Sequence, residues 1–397
     1  MKKNRTPHLL TITKVTGQNV NMKANKLRLL WCSDQHVGHT RTPAKHILAN
    51  LSRFFYIDND LDKVDMVIMG GDFLDRLLES TSTDWLAALR WMRKFLAICH
   101  QKGVKVRFLE GTSSHDWAQP QHFELVGPEG QDIKYADTLS IETFPDLDNF
   151  TLMYVPDNMG QKSPDEIWEL ALHVLNQHGL KQVDLIAFHG AFYYQLPEKA
   201  RKHAHMEERW ETIVKYGIFA GHVHIPSQKG KIYCSGSFDR IRHGEEHPKG
   251  GYVIELDLKT GEFNPVFYEN KQALPYLTMR IDTAVTAEEL VPRIHQFIQN
   301  HKLPPSSQLK IRGGLASIVN PVMQVISSDY PEFGFAVENE TEGEVLVDDV
   351  LFDPHLYKGI TLTKDNLFDS LWEETQEKFG SLSLSREEVE KVFKEFQ

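Results

Sequence analysis

The stretch L-R-L-L-W-C-S-D-Q-H-V-G, Leu27–Gly38, joins an apolar run to a polar turn carrying Asp34 and His36. The same two-part pattern recurs along the chain. After Val64–Met69 comes G-G-D-F-L-D-R, with Asp72 and Asp75, and after Val104–Leu109 comes E-G-T-S-S-H-D-W, with His115 and Asp116. After Leu185–Phe188 comes His189-Gly190, and after Ile218–Ala220 comes G-H-V-H, with His222 and His224. Short apolar, β-rich runs of this kind read as strands, and Leu152–Val155, Ile232–Cys234 and Tyr252–Leu256 add more. Between them lie helical patterns. Thr83–His100 places Trp85, Leu86, Leu89, Met92, Phe95 and Leu96 at helical spacing, with Gly103 as the stop. Ser163-Pro-Asp-Glu166 is a capping box that opens a second helix running to Gly179. Alternating strands and helices predict a layered α/β domain. Sites in open α/β sheets form at the carboxyl ends of strands, so these strand ends are expected to converge.

Composition narrows the function classes. The chain has 397 residues, 41% hydrophobic and 25% charged, as in ordinary globular protein with more than one domain. No apolar run approaches the roughly 18–20 residues of a membrane span. Met1–Val15 carries basic residues, but Lys14 interrupts its apolar run before it reaches the length of a secretory signal. Cys32, Cys99 and Cys234 have neither zinc-type nor disulfide-type spacing, which predicts a reducing, cytoplasmic setting. A net charge of −11 argues against a protein that coats nucleic acid non-specifically, though not against a metal-dependent nuclease.

Beyond Leu274-Pro275 the character changes. A strand at Leu277–Ile281, a helix at Ala287–Asn300 and a strand at Gln308–Arg312 predict a small, separate α+β unit. From Thr363 two amphipathic helical patterns follow, one through Leu367, Leu371 and Trp372 and one through Val389, Val392, Phe393 and Phe396. The expected organisation is an extension over 1–26, a main domain over 27–270, a small unit over 271–345 and a helical segment over 346–397. The tail's apolar residues either pack on their own domain or bind a partner's coiled coil.

Asp and His donors without cysteine suit Mn²⁺, Fe²⁺ or Zn²⁺ rather than a structural zinc. The ordered series D-x-H, G-D-x-x-D, His-Asp, H-G and G-H-x-H resembles the calcineurin-like metallophosphoesterases. The segment Y-C-S-G-S-F-D-R-I-R-H-G-E-E-H-P-K-G-G-Y-V-I-E-L, Tyr233–Leu256, is similar to one found in SbcD-type DNA double-strand-break nucleases. The resemblance extends from Leu27 to about Gln324 and is strongest up to Leu256. It implies a two-layered β-sandwich flanked by helices, with a capping domain and a helical tail. It also implies two divalent metals, with Mn²⁺ foremost. Asp34, His36, Asp72 and His224 would surround one metal, and a bridging Asp72, His189 and His222 the other. His115 and Asp116 would be the catalytic pair, His115 serving the leaving oxygen and Asp116 orienting its imidazole. Asp116 could equally be a turn former, and Asp75 either supports a ligand or fixes Arg76 or a turn. Implied partners are DNA, a coiled-coil ATPase of the SbcC type and a second copy of the chain, in a bacterial or infected-host cytoplasm.

The third motif departs from the family's G-N-H-D, whose Asn is a metal ligand. Aligning the His-Asp pair puts Ser114 in that place, so Ser114 is the expected substitute ligand. Arg240, Arg242 and Lys249 are expected to hold the DNA backbone. The basic run Lys199–His203 reads either as a further phosphate contact or as a solvated face. Rival readings are another metallophosphoesterase, such as a protein phosphatase or nucleotide phosphodiesterase, or a DNA-end scaffold whose metal site is weakened.

Overall fold

The computed structural model describes residues 26–157 and 162–339, together with Arg386. The expected N-terminal extension, the end of the small unit and the tail patterns from Thr363 lie outside the described residues, Arg386 and Lys26 apart.

In chain order the first elements are β1 (Lys26–Cys32), α1 (Ala44–Arg53), β2 (Met66–Met69), α2 (Thr83–Lys102), β3 (Lys105–Leu109), α3 (Ser113–Asp116) and β4 (Ile133–Ala136). Then come β5 (Ser140–Phe144), β6 (Phe150–Val155), α4 (Pro164–Gln177), β7 (Val183–His189), α5 (Glu207–Thr212) and β8 (Val214–Gly221). A hairpin, β9 (Ser227–Lys229) and β10 (Ile232–Cys234), precedes β11 (Gly250–Asp257) and β12 (Phe263–Glu269). The small unit contains β13 (Tyr276–Arg280), α6 (Ala287–His301), β14 (Gln308–Arg312), α7 (Ala316–Asp329) and β15 (Gly334–Glu338).

Two six-stranded sheets carry the main domain, in the orders β12-β11-β1-β2-β3-β4 and β5-β6-β7-β8-β10-β9. The pleat of β1 shows how they are covered. Leu30 and Cys32 point to a core shared with Ile47 and Leu51 of α1 and Met92 and Phe95 of α2. Leu29 and Trp31 point the other way, into a core between the sheets with Leu152, Leu185 and Phe219. Alternate residues of the second sheet, Met153, Ile186 and Phe188, face Ala171 and Val174 of α4 and Trp210 of α5. The order helix, sheet, sheet, helix therefore follows from strands apolar on both faces, each large side chain contributing about 1.5–3 kcal/mol on burial. The two expected helices form with the expected ends. Gly103 stops α2 at φ 69, and the Ser163–Glu166 capping box opens α4.

The small unit differs from the expected α+β arrangement. β13, β14 and β15 are all parallel, joined by α6 and α7 as crossovers, over a separate apolar core. This is a β-α-β-α-β unit, and α7 and β15 were not evident from periodicity.

Candidate metal centre

Parallel pairing of β1 with β2 and of β2 with β3 brings their following turns side by side. The turns then hydrogen-bond to one another. Asp34 N–H donates to Gly71 O (2.9 Å) and His36 N–H to Asp72 O (3.0 Å). The second sheet is tied in as well, since His222 N–H donates to Asp34 Oδ1 (2.9 Å) and His189 Nδ1 to Gly70 O (2.7 Å). Asp34, His36, Asp72 and His222 all have left-handed backbones, at φ 53, 50, 50 and 88. Non-glycine residues rarely adopt this conformation, and such strain clusters at functional sites.

The buried side chains form two groups. Asp34, His36 and His224 make the first, and Asp72, His189 and His222 the second. In the first, His36 Nε2 and His224 Nε2 are 3.1 Å apart, and His224 Nε2 is 3.7 Å from Asp34 Oδ1. In the second, His189 Nε2 is 3.3 Å from Asp72 Oδ2. Thr112 joins the second group. Its N–H donates to Asp72 Oδ1 (2.6 Å), and its Oγ1 lies 3.3 Å from both Asp72 Oδ2 and His222 Nδ1. Gly111 is required beside it, because a Cβ there would run into the Asp72 backbone nitrogen and carboxylate.

The electrostatics are those of a site short of positive charge. Burial opposes ionisation of Asp72, but His189, His115 and His36 hold its carboxyl far below the usual range. Burial likewise disfavours the His36 cation, yet Asp75 at 3.3 Å, with Asp72 and Asp34, raises it to about 9. His189 is raised well above its ordinary value against its burial, chiefly by Asp72. His224 is lowered by burial, and Glu245 only partly offsets this.

This donor set fits a divalent cation. His189 Nε2 is buried and makes no hydrogen bond, although the Asp72 carboxylate lies nearby. Such an orphaned nitrogen is costly unless something else occupies its lone pair. Two nitrogens each about 2.1 Å from one ion lie about 3 Å apart at a near-right angle, the spacing seen between His36 and His224.

No family model and no curated protein matches the chain. Among solved structures, one titled "GAP50 the anchor in the inner membrane complex of Plasmodium" aligns with a TM-score of 0.38 and 11% identity, over 62% of this chain and 85% of that one. A second crystal structure aligns at 0.37 and 12% identity, over 62% of this chain and all of that one. No helix among the described residues is long and apolar enough to cross a membrane.

Asp34, His36, Asp72, His189, His222 and His224 thus come together from four separate strand ends, those of β1, β2, β7 and β8. His115 sits at their edge, its ring 4.8 Å from that of His36 and its Nδ1 2.6 Å from Asp75 O. Asp75 serves both histidines, and its Oδ2 also lies 3.9 Å from Arg76 Nη1, so both of its expected roles are met. Asp116 turns out to fasten the loops. Fully buried, it accepts from the N–H groups of Asp72 (3.0 Å), Leu74 (2.9 Å) and Gly111 (2.9 Å), so Asp75 rather than Asp116 orients the His115 ring.

Two further expectations need correction. Ser114 is exposed, and its carbonyl accepts from Trp117 Nε1 (2.9 Å); the hydroxyl within the cluster belongs to Thr112. Lys249 is 1% exposed, and its Nζ lies 3.0 Å from His224 O, 2.7 Å from Ser237 Oγ and 3.1 Å from Glu245 Oε2, out of reach of a phosphate. Arg240 donates to the carbonyls of Glu245 (3.0 Å), Ala273 (3.0 Å) and His247 (3.4 Å) and braces the segment that leads to the small unit. Arg242 keeps a partly exposed side chain beside Glu245 (3.1 Å). Sequence reasoning missed Thr112 and Glu245. The signal for Thr112 was its place in the strand-end series, three residues after Leu109 as Asp72 is three after Met69. The signal for Glu245 was its spacing of four from Lys249.

Proposed function

We propose that this chain is a two-metal phosphodiesterase of the calcineurin-like type that acts on DNA. The observation that carries the reading is the pair of buried Asp-His groups, with Thr112 Oγ1 between Asp72 and His222. Asp34, His36 and His224 would hold one divalent ion, and Asp72, His189 and His222 the other, with Mn²⁺ foremost. When bound, such a pair supplies Lewis acidity and lowers the pKa of water. The chain's own residues do the rest. The left-handed turns aim the ligands inward, and Asp116 holds the turns of Asp72 and Gly111 together. His115 donates its Nδ1 proton to Asp75 O, which leaves Nε2 free to take a second proton from water; as the imidazolium it would then give that proton to the leaving oxygen. DNA as substrate, an SbcC-type ATPase as partner, a homodimer, a capping role for the small unit and a cytoplasmic setting all rest on the resemblance of Tyr233–Leu256 to SbcD-type nucleases.

A second reading, a phosphodiesterase of small esters or nucleotides, is favoured by one observation. Lys249 and Arg240, two of the three cations expected at DNA, are spent inside the protein. The purified protein with Mn²⁺, with and without its ATPase, should degrade end-labelled linear duplex DNA as well as bis-p-nitrophenyl phosphate. Turnover of the small ester with duplex DNA untouched in both settings would establish the second reading. No turnover of either, with no metal bound, would leave the weakened-site scaffold.

A further inference from the structure

The segment after β10 contains a buried charged knot that is outside the ligand set yet touches it. Glu245 is 1% exposed, and its carboxylate is surrounded by donors. Oε1 lies 2.7 Å from His224 Nδ1 and 3.1 Å from Arg242 Nε. Oε2 lies 3.1 Å from Lys249 Nζ, 3.2 Å from Ile241 N and 3.5 Å from Ser237 Oγ. Lys249 in turn grips the backbone carbonyl of His224 (3.0 Å). The same residue is therefore held at its ring by Glu245 and at its backbone by Lys249.

We infer that Glu245 is the positioning residue of the first metal group, fixing the tautomer and the ring orientation of His224, with Lys249 locking Glu245 in place. The inference rests on the two-metal reading of the site. The chemistry follows from hydrogen-bond roles. A carboxylate only accepts, so the ring proton of His224 sits on Nδ1 and is donated to Glu245. Nε2 is then left with its lone pair, facing His36 Nε2 at 3.1 Å and the side of Asp34. A carboxylate behind a ligating imidazole fixes its orientation and strengthens it as a donor, and losing such a partner typically costs 10–100-fold in metal affinity. The ion pair with Lys249 explains how a carboxylate can be wholly buried here, since both oxygens are met by donors. It also gives Lys249 a role that needs no contact with substrate.

The test titrates metal-free protein with Mn²⁺ by calorimetry, comparing wild type with Glu245→Gln. Gln keeps the volume and one acceptor oxygen but removes the charge. The expected result is two sites in the wild type and a loss of about 10–100-fold at one of them in the variant, with the other unchanged. Two unchanged sites in the folded variant would overturn the positioning role while leaving the two-metal reading intact. A wild type that binds no Mn²⁺ would overturn that reading itself. A second measurement needs no Glu245 variant to fold. The ¹⁵N histidine spectrum of metal-free wild type, with His224 assigned by its loss in His224→Gln, should show the proton on Nδ1. A proton on Nε2 would overturn the inference directly.

Discussion

The two buried Asp-His groups lie side by side but are supported differently. In the first, the outer nitrogens of His36 and His224 face the carboxylates of Asp75 and Glu245, at 3.3 and 2.7 Å. In the second, His189 leans on a backbone carbonyl, Gly70 O, and His222 on the hydroxyl of Thr112. Carboxylate support adds negative charge and makes an imidazole a stronger donor, whereas carbonyl and hydroxyl support only orients it. The first group should therefore bind its ion more tightly, and the second should be the one that exchanges.

Four experiments break or sharpen this contrast. The largest effect is expected from Asp72→Asn, which removes the only carboxylate of the second group. Hydrolysis of bis-p-nitrophenyl phosphate should fall by at least about 10³-fold, and Mn²⁺ stoichiometry measured by mass spectrometry should drop by one or more. His115→Asn should lower DNA hydrolysis by about 10²-fold or more while both metals stay bound, the mark of a proton donor rather than a ligand. Full activity in that variant would remove His115 from the reaction.

The third experiment is pH. His36 has a folded value of about 9 against an ordinary 6.5, so its stabilising charge is fully present below 6.5 and is lost as pH rises through 9. The metal-free protein should therefore lose this contribution to its melting temperature between those limits. Metal must displace the same proton, so affinity at the first group should rise about 50-fold from pH 7 to pH 9. A flat affinity over that range would mean that His36 is not a ligand. The smallest effect is expected at the third strand end. Thr112→Val should weaken the second site about tenfold, and Ser114→Ala should change nothing in the same titration. The reverse result would restore Ser114 as the substitute for the absent asparagine.

Legibility in the sequence followed the range of the interactions involved. The strands ending at Cys32, Met69, Leu109, His189 and Gly221, the cap at Ser163 and the stop at Gly103 are set by neighbours a few residues away, and periodicity finds them. The edge strand β12 escaped notice, for it carries Pro265 beside only the short run Val266–Tyr268, and none of its residues is buried. In α7 Pro321 sits inside the helix and breaks the expected pattern.

The same division runs through the site. The residue types and their strand-end positions, Asp34, His36, Asp72, His189, His222 and His224, are written in the sequence, because the end of a parallel strand is a local feature that always points to the same edge of a sheet. The task each neighbouring residue performs was decided only by the fold. Lys249 has the charge of a phosphate hook, but Glu245, Ser237 and the His224 carbonyl enclose it. Asp116 has the position of a catalytic partner, but three N–H groups from two turns claim its oxygens. Thr112 rather than Ser114 enters the cluster because the β2–β3 register sets its turn against Asp72. A charge or a hydroxyl takes its role from whatever surrounds it, and those surroundings come from parts of the chain that are far apart in sequence.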